Sequence, residues 1–143
     1  PDVAVGTIFL IDAVHNSGAQ RIIIDSISSL ESSIMNKDDI RSFLLQLSGF
    51  AKSQGINLLL NYLSDTAFGA EKGQLLGSLF TNALRLSSIV DGIIMLRYVE
   101  RQRQVQKLLN ILKLRGSQHD KSILQYEITR TGFELGERFD EPL

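Results

Sequence analysis

The apolar positions of this chain follow two periods. Val5, Ile8, Phe9, Ile11 and Val14 recur at roughly helical spacing and stop at Gly18, which predicts a helix over residues 5–16. Arg21-Ile-Ile-Ile-Asp25 holds three β-branched residues in a row, the composition of a strand buried on both faces of a parallel sheet, with Asp25 at its carboxyl end. Ile40, Phe43, Leu44, Leu47 and Phe50 return to the helical period. Asn36 stands where a helix cap is needed, Asp38 and Asp39 lie in the first turn where the dipole favours acids, and Gly55 closes the helix. Ile56 to Leu60 reads as a second buried strand, with Asn61 just beyond its end. Strand, helix and strand in that order predict an α/β layer fold with a right-handed crossover.

The second half changes character. Ser64 to Asp91 contains Gly69, Gly73 and Gly77, and a short helix is expected around Leu75 to Leu86, ending at Ser87-Ser88. Asp91-Gly92 then opens a strand over 93–99, followed by strands over 103–115 and 122–129. These lie too close together for helical crossovers, so they should be antiparallel neighbours, giving a parallel core an antiparallel edge. Residues two apart on a strand share a face, so Lys113 and Arg115 should project together before Gly116 and Ser117 break the strand and His119 follows in the loop. An ammonium beside a forked guanidinium suits a phosphate gripped from one side.

Composition narrows the reading. The 143 residues fit one ordinary domain, and 15 basic against 16 acidic residues leave no general affinity for polyanions, which makes nucleic acid an unlikely partner. The balance is local. Between Arg97 and Lys121 stand seven cations (Arg97, Arg101, Arg103, Lys107, Lys113, Arg115, Lys121) and two acids (Glu100, Asp120). The absence of cysteine excludes disulfides and thiolate metal sites and is compatible with the cytoplasm. No apolar run approaches the ~20 residues that span a bilayer. The chain begins at Pro1 and reads as part of something longer.

In open α/β sheets ligands bind at the carboxyl ends of parallel strands, where Asp25 and Asn61 both fall. An acid after an apolar strand resembles the Walker B element of P-loop ATPases, which holds Mg²⁺ directly or through water. Five stretches then occur in the order seen in the KaiC family of circadian-clock ATPases: Arg21 to Leu30, Ser48 to Ser53, Ser64 to Gly69, Ser87 to Glu100 and Lys113 to Lys121. Together they resemble the carboxyl-terminal part of that family's second RecA-like repeat.

The resemblance implies a partial RecA-like P-loop NTPase fold over residues 1–143, without the P-loop segment. It also implies a hexameric ring that binds ATP and Mg²⁺ between subunits. Asp25 would be the metal-holding acid and Asn61 its companion at the catalytic strand ends. Lys113, Arg115, Ser117 and His119 would reach a neighbour's nucleotide. Ser87 and Ser88 fall where the family carries adjacent phosphoacceptors, so the resemblance implies Ser/Thr autokinase and autophosphatase activity, and a KaiB-like protein as a partner. No G-x-x-x-x-G-K-[ST] motif occurs in the 143 residues, so the chain by itself is expected to be inactive. Gln118 stands in place of an aromatic residue, and Asn82 in place of a hydroxyl residue. The competing readings are a non-catalytic RecA-like assembly or signalling module and a DNA-dependent recombinase or helicase on the same fold.

Overall fold

The computed structural model describes residues 3–33, 37–63, 86–101 and 103–139. They belong to two units, Pro1–Ser64 and Asp65–Leu143. Asn36 as a helix cap and the helix expected over 75–86 fall largely or wholly outside the described residues.

In the first unit α1 (Val3–Ser17) leads into β1 (Arg21–Asp25), α2 (Ile27–Ser33), α3 (Lys37–Ser53) and β2 (Asn57–Asn61). β1 and β2 pair in parallel, from Arg21 opposite Asn57 to Asp25 opposite Asn61. α2 and α3 form the crossover. The core is built on the expected stripe of α3, with Ile40, Phe43, Leu44 and Leu47 buried, but Phe50 is only half-buried and Ala51 is buried beside it; Ile22, Ile27 and Val14 join them. Gly55 ends α3 with φ +66, and the helix closes through Gly55 N–H to Lys52 O (3.3 Å) and Ile56 N–H to Ala51 O (2.8 Å). A residue with a side chain is strained in that left-handed conformation, which is why glycine stands there.

Two expectations are corrected in this unit. α1 turns Thr7 and Val14 into the core, while Val5, Ile8 and Phe9 are exposed, Phe9 by 76%. The helix is apolar around most of its circumference, so its spacing alone could not say which side would meet α3. Likewise, among the described residues the parallel pair is covered on one face only. Ile22 is buried, whereas Ile23 and Leu59, paired on the other face, are 67% and 60% exposed. Asp25 and Asn61 share that open face, because residues two apart point the same way. The structure also has α2, which the serine-rich run Ser26 to Ser33 concealed.

The second unit is an antiparallel sheet in the order β3 (Gly92–Arg101), β4 (Gln104–Leu114), β5 (Leu124–Thr129) and β6 (Gly132–Arg138). Three of these strands match expectation. β6 was missed: its Phe133-Glu-Leu alternation is short and follows closely on the Thr131-Gly132 turn. Leu108, Tyr126 and Ile89 are buried, and the rings of Tyr126 and Phe133 stack at 4.7 Å across β5 and β6. Ile93 pairs with Lys113 but Ile94 pairs with Ile111, so Leu112 is an extra residue on β4. Such a bulge re-aims the side chains beyond it. Lys113 consequently falls on the face of Ile93 rather than on that of Ile111.

Candidate functional site

The residues expected to do chemistry form one group in each unit. In the first, the parallel register sets Asp25 beside Asn61 at the carboxyl ends of β1 and β2. Asn61 donates through Nδ2 to Asp25 Oδ1 at 2.8 Å. This engages one carboxylate oxygen and leaves a hard oxygen donor of the kind Mg²⁺ prefers. The chain turns at once, with a cis peptide between Asp25 and Ser26. Ser26, 5% exposed, caps α2: its Oγ accepts from Ser29 N–H at 3.3 Å and lies 2.9 Å from the hydroxyls of Ser28 and Ser29. Ser28 Oγ in turn accepts from Leu63 N–H at 3.1 Å, and Tyr62 donates to Glu31 at 3.2 Å. The segment after β2 is thereby fastened to α2 beside the acid. The sequence carried a signal for this: a serine directly after a strand-end acid is a cap residue.

The metal would have few ligands here. Among the described residues no group of three His, Cys, Asp or Glu could hold an ion. A single carboxylate fits Mg²⁺ in one circumstance, when the ion arrives with nucleotide phosphates and keeps much of its water. A concavity of this unit lies at the other end of the strands, lined by residues including His15, Gln20, Arg21, Gln54 and Asn57. It is remote from the strand-end chemistry.

In the second unit Lys113 and Arg115 do lie together, and they meet the turn that carries Ser87 and Ser88. Lys113 Nζ donates to the carbonyl oxygens of Ser87 and Val90, the latter at 3.0 Å. Arg115 donates through Nη1 to Asp91 Oδ1 at 3.1 Å and through Nη2 to Ser88 O at 3.4 Å. Its backbone N–H donates to Asp91 O at 2.7 Å. The sequence suggested two cations free to grip an anion. In this chain they meet three carbonyls at the end of a helical turn, which carry partial negative charge, and the Asp91 carboxylate. Asp91, read in the sequence only as a strand opener, holds the guanidinium.

Ser117 is exposed and His119 half-buried in the loop after β4. Asp120 shapes that loop. It accepts from the N–H and Oγ of Ser122 at 2.8 and 2.5 Å, and Arg138 reaches its other oxygen at 3.4 Å. The two Ser122 bonds, and after them Arg138, hold the Asp120 carboxyl below the ordinary carboxylate range. The remaining cations do not converge. Lys107 pairs with Glu127 at 2.8 Å, and Arg103 stands exposed at the β3–β4 turn with φ 64. The local basic excess is therefore spread over the sheet.

A parallel strand pair ending in an acid, crossed over by helices and followed by an antiparallel sheet, is a partial RecA-like α/β fold. A solved KaiC-like protein from Pyrococcus horikoshii OT3 shares it, with TM-score 0.72 over 95% of this chain and 57% of that one at 20% identity. The family model for the KaiC ATPase matches residues 4–139. The circadian clock protein KaiC3 of Synechocystis sp. is 33% identical over 132 residues, and the circadian clock oscillator protein KaiC of Synechococcus elongatus is 34% identical over 119. These matches cover 92% and 83% of this chain, and 24% and 21% of the relatives. The chain belongs to the KaiC ATPase family and spans about a quarter or less of the curated relatives it matches. Among the described residues no helix is long and apolar enough to cross a membrane.

Proposed function

We propose that this chain supplies part of an ATP site in a ring-forming ATPase that phosphorylates its own serines. The Asp25–Asn61 pair carries the reading: an acid oriented at 2.8 Å by the neighbouring strand end, on an open sheet face. Mg²⁺ bound with ATP would supply charge neutralisation for the phosphates. Asp25 would hold the ion or its water, and Asn61 fixes the carboxylate so that one oxygen stays committed to the protein.

Lys113 and Arg115, with Ser117 and His119 from the loop, contact nucleotide held by a neighbouring subunit. Ser87 and Ser88 are the acceptors. In the transfer a serine oxygen bonds to the γ-phosphorus of ATP, the bond from that phosphorus to the bridging oxygen breaks, ADP leaves, and the hydroxyl proton passes to a base. Closed hexameric symmetry would place one such site at each interface, and a KaiB-like protein is the partner expected to read the modified state. The exposed position of Ser88 and the half-buried position of Ser87 make Ser88 the more accessible acceptor.

The test is intact-mass and phosphopeptide analysis of the whole reading frame containing this chain, incubated with Mg²⁺ and ATP beside an Asp25→Asn control. Phosphate on Ser87 or Ser88 in the first and not in the second supports the kinase. ATP consumed without phosphate reduces the reading to a ring ATPase. Neither activity leaves an assembly module.

A further inference from the structure

The Ser87–Asp91 turn and the end of β4 are joined by an uneven exchange. Lys113 and Arg115 are full cations, yet three of the acceptors their side chains reach are neutral carbonyls, those of Ser87, Ser88 and Val90. The remaining acceptor is the Asp91 carboxylate. A hydrogen bond from a cation to a carbonyl is already charge-assisted, but a phosphate brings a full opposite charge that a carbonyl lacks. The turn thus holds two cations on acceptors that a stronger anion displaces. The hydroxyls of Ser87 and Ser88 belong to the residues whose carbonyls are already gripped. A phosphoryl group on either hydroxyl would thus be carried by a residue that one of the two cations already contacts.

The geometry points to a phosphoserine receiver within a single chain: a phosphoryl group on Ser88 or Ser87 is taken by Arg115 and Lys113 of the same chain, which leave the turn carbonyls to hold it. Neutralisation of the new charge then needs no second subunit. The cost is release of the turn, whose carbonyls and Asp91 lose their partners to solvent. The inference rests on the reading above in naming these serines as acceptors, and it applies when Lys113 and Arg115 are not engaged by a neighbour's nucleotide.

The test therefore installs phosphoserine at position 88 during translation, so that no kinase activity is needed. The full chain, free of nucleotide, is titrated by ³¹P NMR. Cations nearby favour the dianion, so the second phosphate pKa is expected about one unit below its value in the same chain unfolded in urea. The combined Lys113→Gln and Arg115→Gln variant should return it to the unfolded value. Equal values in the folded and unfolded chain, or a depression that survives the double substitution, overturn the proposal. An Asp91→Asn variant guards against misfolding of the double variant. It removes the competing carboxylate and should lower the phosphate pKa further, and no change there also overturns the proposal. Failure of the Mg²⁺-ATP incubation would remove the kinase and leave this titration untouched.

Discussion

Asn61 and Asp25 lie 36 residues apart in sequence and 2.8 Å apart between Nδ2 and Oδ1, the last matched pair of the β1–β2 register. The bond is exposed, so its weight falls on orientation rather than on folding. Asn61→Ala should change unfolding free energy by no more than about 1 kcal/mol. In the whole reading frame it should lower ATP turnover about tenfold or more, the scale of a misplaced positioning group. Denaturant titration beside steady-state ATP hydrolysis checks both, and a large stability loss with normal turnover would reverse the assignment.

The core of the first unit gives a contrast between two leucines. Leu47 is fully buried on α3, and Leu47→Ala should cost about 2–5 kcal/mol by removing packed methyl groups and leaving a cavity. Leu59 is an apolar strand residue on the open face, and Leu59→Ala should cost less than about 1 kcal/mol in this chain. Urea unfolding monitored by circular dichroism measures the pair.

That contrast marks how much was legible in sequence. The α3 stripe was readable because its polar side is unmistakable, so period and burial agree at Ile40, Phe43, Leu44 and Leu47. Ile23 and Leu59 misled because a β-branched run reports strand propensity, not what covers the strand. Asp25 and Asn61 were placed correctly by the rule for strand ends. Lys113 and Arg115 were correctly paired, but three of the four acceptors they reach are main-chain oxygens, which leave no trace in side-chain identity. The bulge at Leu112 was equally silent, since an extra residue on a strand looks like any other apolar position.

Asn110 tests the reverse of the usual polar rule. It is 9% exposed on β4, and its Oδ1 is buried without a hydrogen-bond partner among the described residues. A buried polar atom left unpaired costs about 1–3 kcal/mol. Asn110→Leu, which keeps the branched skeleton without that atom, should therefore leave stability unchanged or raise it by about 1 kcal/mol. Thermal and urea unfolding decide the sign. A loss of several kcal/mol would mean that the amide makes a bond essential to the sheet.

Acid should loosen the loop after β4 through Asp120. Its carboxyl is held below the ordinary range by Ser122 first and Arg138 after it, so the folded chain binds this proton less readily than the unfolded one. The stabilisation is present above the unfolded carboxylate pKa and is lost as pH falls through the depressed folded value. Glu134 follows the same sign, with its carboxyl lowered by the hydroxyls of Thr129 and Thr131. In an Asp120→Asn variant the stability deficit relative to the parent chain should be greatest at neutral pH and shrink on acidification. Urea midpoints measured down through the carboxylate range provide the check. A deficit that grows as pH falls would show that Asp120 is protonated in the fold and that Ser122 and Arg138 do not hold its charge.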